Sequence, residues 1–281
     1  MKFEKWQALG NDYVIVEREE LPWELTAARI VRLCAPHFGI GSDGILLLSR
    51  PASGDAVADL RIFNPDGSEA ELSGNGARQA ALYLRRRGWA DSDDFTINTA
   101  AGEVHPRITA PGTVSMALGR ASLSSPDYPG GPPDGAGTLE VDGHEWRFQH
   151  VNVGNPQCVV NAGEEVERLD VQRLGRRIEV HELFPNRTNV SFICFDGSEI
   201  RARIFERGAG ETLASGTGAS GAAVAGHLRG APNPITVRMD GGALDVEVSD
   251  DLDVVLTGTA EPVFAGALAP ELVEALREIS S

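Results

Sequence analysis

The hydrophobic and polar pattern over residues 2–7 and 12–17 predicts two strands, with Gly10-Asn11 turning between or beside them. A helical spacing over residues 24–35 follows and stops at Pro36. Strand patterns return at 44–49 and 58–63. A Gly-rich start at Gly74 then opens a helix that runs to about Arg87. Short strands are expected at 95–98, 103–108 and 113–118. Periodicity fails over 121–137, where Pro, Gly and Ser dominate, and this stretch reads as an inter-domain break. The order then repeats: strands at 145–152 and 157–161, a helix at 168–177, and strands at 189–195 and 199–205. A Gly-rich helix from Gly216 to about Arg229 precedes strands at 234–238, 243–248 and 253–257, and an amphipathic helix over 269–279 ends the chain. Strands outnumber helices, and each half offers one helix suited to packing against a curved sheet. The expected class is α+β, with two similar domains.

The halves also echo each other in letters. Residues 69–81 read EAELSGNGARQAA and residues 211–223 read ETLASGTGASGAA, with Ser73 and Ser215 in matching places. The turn at Gly10-Asn11 is answered, at nearly the same offset along the chain, by Gly154-Asn155. Two echoes in one order, at nearly one spacing, indicate a duplicated domain. The expected halves are 1–119, with segment 262–281 packing back on it, and 120–261. The echoed segments are polar and Gly-rich, as functional loops are. Two such loops facing one cleft is the expected arrangement.

Composition narrows the chemistry. A hydrophobic content of 42% suffices for a core in each half. There is no apolar run of about 18 residues to span a membrane, and the opening MKFEKWQALGNDY lacks a signal-peptide stretch. A cytoplasmic protein without a membrane partner is therefore expected. A net charge of −16 argues against nucleic acid, which needs a basic face. Cys34, Cys158 and Cys194 show no metal spacing and no disulfide framework, and the six histidines are scattered, so no metal site is expected. The only lysines, Lys2 and Lys5, lie in the first strand, which leaves little for a pyridoxal Schiff base.

The duplicated loops suggest an anion site. A helix N-terminus presents free N–H groups and the positive end of a dipole, and glycines let a ligand approach the backbone. For one loop alone, an ordinary serine N-cap would be the simpler account; duplication in matched context favours a site. Asn11, Asn64, Asn155 and Asn189 sit at strand ends, where an amide suits either end of an amino acid, or simply caps a turn. Asn75 carries the same ambiguity. Arg207 suits a carboxylate, and Glu206 suits a base; a surface ion pair is the plainer alternative.

These segments resemble the diaminopimelate epimerases. FEKWQALGNDYVIVE, GIGSDGILLL, FNPDGSEAELSGNGAR, GNPQCVV, PNRTNVSF and ERGAGETLASGTGA occur in that family's order from end to end. The resemblance implies two pseudo-symmetric domains, each a mostly antiparallel sheet around a central helix, and a homodimer. It implies cofactor-independent epimerisation of diaminopimelate by two bases on opposite faces of the α-carbon. Substrate contacts would fall at Asn11, Asn64, Asn155, Asn189, Glu206 and Arg207, with Gly74, Asn75, Gly216 and Thr217 holding the α-carboxylate. The family's two bases are cysteines, and here they fall at Ser73 and Ser215. The family's histidine after Gly-Asn-Pro falls at Gln157.

Those three departures sit in the proton-transfer machinery. A thiol has a reference pKa near 8.5, and a helix N-terminus can lower it; a serine hydroxyl is far less acidic and needs a neighbouring base. Glu206 can assist Ser215, whereas Gln157 cannot act as a base. Cys158 is turned to the other face by strand alternation. Three readings remain open at this stage: an epimerase that uses its serines; a related racemase with another base, drawn from Glu69, Glu211, Asp66 and Glu206; and a silent amino-acid-binding protein. A deliberate exchange of both cysteines would leave Gln157 unexplained.

Overall fold

Two helices in this chain are buried on every side, and the sheets form around them. A computed structural model describes residues 1–51 and 54–279, so 52–53 and the tail of the expected returning segment, 280–281, lie outside the described residues. The elements are β1 (Lys2–Ala8), β2 (Asn11–Glu17), α1 (Ala27–Cys34), β3 (Ile45–Ser49), β4 (Ala58–Phe63), β5 (Glu69–Ala70), α2 (Gly74–Arg86), β6 (Ile97–Thr99), β7 (Gly102–Val104), β8 (Pro106–Ala110) and β9 (Thr113–Arg120). There follow β10 (Ala136–Val141), β11 (His144–Asn152), β12 (Pro156–Asn161), α3 (Val171–Glu179), β13 (Asn189–Asp196), β14 (Glu199–Glu206) and β15 (Gly210–Thr212). The chain closes with α4 (Gly216–His227), β16 (Ile235–Met239), β17 (Gly242–Val248), β18 (Asp253–Thr259), β19 (Glu261–Ala267) and α5 (Pro270–Glu278). Two units result, Met1–Met116 with Gly258–Ser281, and Ala117–Thr257.

The first unit has the strand order β19-β1-β2-β3-β4-β6-β7, with β5 beside β4. β1/β2 and β3/β4 are antiparallel; β2/β3 and β4/β6 are parallel. The second unit repeats this as β10-β11-β12-β13-β14-β16-β17-β18, with β15 beside β14. β11/β12 and β13/β14 are antiparallel, and β12/β13 and β14/β16 are parallel. The expected α+β class, with two alike units of mostly antiparallel sheet, describes this architecture.

α2 is buried continuously from Asn75 to Leu84, and α4 from Gly218 to Gly226. A helix covered on all sides is a core element. α4 manages this by being almost all Gly, Ala and Ser. It touches β11, β12, β13, β14, β16 and β17, and such close approach leaves no room for side chains. A Cβ added at Gly221 would lie 3.0 Å from Gln157 Cβ, and one at Gly226 would lie 2.9 Å from Ile200 Cδ1. α2 packs its alanines with Trp6, Ile15, Leu46, Leu48 and Ile62 in one core. A second core in this unit joins α1 to α5, whose Leu276 is fully buried. Arg29 Nε also donates to the Leu276 carbonyl at 2.7 Å.

Several elements differ from the sequence reading. The first helix starts at Ala27, because its cap Thr26 is extended, with φ −86° and ψ 161°. The third starts at Val171, because Asp170 caps it by accepting from the Arg173 N–H at 3.0 Å. The run 103–108 splits into β7, which pairs with β6, and β8, which pairs with β9. The stretch 121–137, read as an inter-domain break, lies within the second unit. Its Tyr128 is buried, with ring centroids 5.4 Å from Phe148 and 5.7 Å from Phe184. β10 and β19 have no counterpart in the reading.

Candidate functional site

Each unit carries a polar half-site at the N-terminus of its central helix. Ser73 caps α2 with φ −136° and ψ 118°, and Ser215 caps α4 with φ −139° and ψ 126°. Each serine Oγ accepts from the third N–H of its helix, Gly76 at 3.1 Å and Gly218 at 3.2 Å. The N–H groups of Gly74, Asn75, Gly216 and Thr217 precede the first turn's acceptors and have no intrahelical partner. They are what a carboxylate would meet there.

Asparagines brace both helix starts in matching ways. Asn11 Oδ1 accepts from Asn75 Nδ2 at 3.2 Å, and its Nδ2 donates to Asp43 Oδ2 at 3.0 Å. In the second unit Asn155 Nδ2 donates to Thr217 Oγ1 at 3.3 Å, and its Oδ1 accepts from Gln157 Nε2 at 2.6 Å. Gln157 is fully buried, and its Oε1 finds no donor among the described residues. Asn189 is buried too; its Nδ2 donates to the Pro156 carbonyl at 3.0 Å, and its Oδ1 accepts from the Arg207 N–H at 2.9 Å.

Glu206, at the end of β14, accepts from the Ser215 hydroxyl at 3.1 Å. Burial pushes its carboxyl pKa up, and the Ser215 hydroxyl opposes that shift only in part. A carboxyl raised in this way is matched to proton transfer nearer neutral pH. The Arg207 guanidinium donates to the Asn186 carbonyl at 3.0 Å. The Asn64 amide is spent on its own turn, donating to Ser68 Oγ at 3.0 Å. The structure thus gathers Ser73, Gly74, Asn75 and Asn11 in the first unit, and Ser215, Gly216, Thr217, Asn155, Asn189 and Glu206 in the second. No described contact ties Asn64 or the Arg207 guanidinium to either serine.

The other candidate bases are committed elsewhere. Glu69 makes a two-pronged pair with Arg61, at 2.8 and 2.7 Å, and this holds its pKa below the usual carboxylate range. Glu211 pairs with Arg203, whose Nε and Nη2 both donate to Glu211 Oε1, at 3.1 and 2.5 Å. Arg61 and Arg203, like Glu69 and Glu211, are separated by the same offset as the two serines, so these pairs are duplicated scaffolding. Asp66 accepts from the Ser68 hydroxyl and N–H, which lowers its pKa. Cys158 faces the core with Phe148, Val190 and Phe192, and complete burial pushes its thiol pKa well up.

Four contributors were missed in the sequence. Tyr13 donates to Ser73 Oγ at 3.3 Å. Arg78, fully buried, donates to Asn75 Oδ1 at 2.6 Å. Gln79 Nε2 holds the Asn11 carbonyl at 3.0 Å, and Glu179 Oε1 holds the Gly208 N–H at 3.0 Å. The echoes contained a signal for two of these: Tyr13 aligns with Gln157, and Arg78 with Ser220.

Known proteins resemble this chain over most of its length. A family model described as diaminopimelate epimerase matches residues 3–124 and 149–263. Diaminopimelate epimerase 2 of Nostoc sp. is 41% identical over 278 residues, covering 97% of each chain. Diaminopimelate epimerase of Moorella thermoacetica is 42% identical over 279 residues, covering 95% of this chain and 98% of the relative. Among solved structures, a hydroxyproline epimerase from Agrobacterium vitis with bound trans-4-hydroxy-L-proline shares the fold at 17% identity. Its TM-score is 0.65, over 95% of this chain and 91% of its own. A probable proline racemase from Agrobacterium radiobacter does so at 16% identity and TM-score 0.68, over 96% and 93%. With the matched model spanning most of its length, the chain belongs to the diaminopimelate epimerase family.

Proposed function

We propose that the chain interconverts LL- and meso-diaminopimelate without a cofactor, with Ser73 and Ser215 at the two proton-transfer positions. The observation that carries this reading is the pair of matched serine caps, each beside open N–H groups and a bracing asparagine. The N–H groups of Gly74, Asn75, Gly216 and Thr217 suit the α-carboxylate. Asn11, Asn155 and Asn189 suit the remaining ammonium and carboxylate groups; Asn64 and Arg207 would join them on leaving the Ser68 and Asn186 contacts they make here. On this reading each serine serves one face of the α-carbon, and Glu206 takes the proton that Ser215 gives up. A cytoplasmic homodimer belongs to the same reading; exposed Val263 and Phe264 on the outer strand β19 are available for self-association.

The test is α-proton exchange in D2O. Purified protein is incubated with each isomer, and the α-proton NMR signal and isomer ratio are followed together. Exchange coupled to epimerisation, and lost in Ser215→Ala, is the expected result. Binding without exchange would overturn the catalytic part and leave an amino-acid-binding protein.

A further inference from the structure

The two caps share a backbone conformation and differ in hydrogen-bond partners. A hydroxyl has one proton to donate and two lone pairs to accept with. At Ser73 both lone pairs are taken, one by the Gly76 N–H at 3.1 Å and one by the Tyr13 phenol at 3.3 Å. What Ser73 has left to present is its proton. At Ser215 the Gly218 N–H takes one lone pair at 3.2 Å, and the hydroxyl proton goes to Glu206 at 3.1 Å. What Ser215 has left is a lone pair.

The buried charges run the same way. Arg78 lies one turn into α2, donating to the Gly74 carbonyl at 3.3 Å and to Asn75 Oδ1, and among the described residues it has no carboxylate partner. Its counterpart in the second copy is neutral Ser220, which donates to the Gly216 carbonyl at 2.8 Å. Asn64 and Glu206 are counterparts at the same offset. The first helix start therefore carries a buried cation, and the second carries a buried carboxyl group.

We propose that the half-sites have divided the labour: Ser73, supplied by Tyr13, is the resting proton donor, and Ser215, relieved by Glu206, is the resting acceptor. The inference rests on the epimerase reading and makes Tyr13 a positioning residue that acts through Ser73. In the step, the α C–H bond breaks and its proton passes to Ser215 Oγ as the Ser215 hydroxyl proton passes to Glu206. The electron pair stays on carbon. The Ser73 O–H bond then breaks, its proton forms the new C–H bond on the opposite face, and Tyr13 passes its proton to Ser73 Oγ. The net movement is one proton from Tyr13 to Glu206. Water restores it by protonating the phenolate and accepting the proton from Glu206. A phenol, with reference pKa near 10, is a far better proton source for Ser73 than another alcohol.

Two measurements on the full-length chain test this. Tyr13→Phe removes one oxygen. It is expected to lower kcat at least about tenfold with KM within about twofold, and to abolish the alkaline limb of the kcat–pH profile. Unchanged kcat, or an unchanged alkaline limb, would overturn the proposal. Independently of turnover, the chain has three tyrosines, and ultraviolet titration against Tyr13→Phe isolates the Tyr13 ionisation. Ser73→Ala removes an acceptor from the neutral phenol, so this ionisation should move to lower pH. An unmoved titration would also overturn the proposal. Wild-type protein that exchanges neither isomer would instead count against the epimerase reading, and the titration would still decide whether Tyr13 serves Ser73.

Discussion

Glu206→Gln should separate activity from stability. The carboxyl accepts a hydrogen bond from Ser215 at 3.1 Å. The amide oxygen of glutamine can accept the same bond, so the Ser215 cap keeps its geometry. Proton acceptance is lost, and general-base assistance contributes about 10²–10⁴ in rate, or roughly 2.7–5.5 kcal/mol of barrier. Stability moves the other way. Burial raises the Glu206 pKa above its unfolded value, so the folded state binds this proton more tightly. The stability it contributes is fully present below the unfolded value, near 4.3, and is lost as pH rises through the folded value. Across that window one proton changes the unfolding free energy by at most about 1.4 kcal/mol per pH unit. The variant has no charge to bury and escapes this loss. Other carboxylates, among them Glu69, Glu167 and Glu199, are held low by arginines and titrate in both proteins. The informative quantity is therefore the difference between variant and wild type. Urea unfolding at half-unit steps from pH 4 to pH 8 should show the variant gaining on wild type with rising pH, while exchange in D2O falls at least about a hundredfold. A difference flat with pH, or one of opposite sign, would refute the buried-carboxyl argument.

Three further outcomes are expected. Ser73→Cys combined with Ser215→Cys should raise kcat at least about tenfold, because a thiol of reference pKa near 8.5 at a helix N-terminus ionises far more readily than a hydroxyl; equal turnover would mean that hydroxyl acidity does not limit the reaction. Gly221→Ala places a Cβ 3.0 Å from Gln157 Cβ and Cγ and should cost about 1–3 kcal/mol in urea unfolding; a loss under about 0.5 kcal/mol would show that β12 can yield there. A thiol reagent should label Cys194 in the native protein and spare Cys34 and Cys158, which are buried; native labelling of Cys158 would contradict its place in the core.

Much of the fold was legible because the small residues that open both buried helices, and fill almost all of α4, are conspicuous in any sequence. The repeated serine motif located both caps, and strand alternation turned Cys158 inward. What escaped were features whose causes are not local. β19 alternates nothing, because its residues are exposed or half-buried on both faces; only pairing with β1 makes it a strand. β10 begins in the Gly-rich stretch whose fold depends on Tyr128 reaching Phe148 and Phe184. In the site, Asn64 satisfies a turn of its own, as asparagine commonly does.

Of the contacts that distinguish the half-sites, the one between Tyr13 and Ser73 is long-range, and composition carries no trace of it. Tyr13 meets Ser73 across 60 residues, whereas Glu206 meets Ser215 across 9. Yet each falls at a position that the duplication itself marks. Scaffold positions kept their chemistry in both copies, as in Arg61–Glu69 and Arg203–Glu211. Other aligned positions did not: Tyr13 matches Gln157, Arg78 matches Ser220, and Asn64 matches Glu206. A pair of equivalent acid–base groups would gain nothing from such divergence. On the proposal that Ser73 donates while Ser215 accepts, neighbours of different kinds suit the two protonation states. On that proposal the mismatches between the copies, rather than their matches, set which serine gives a proton and which receives one.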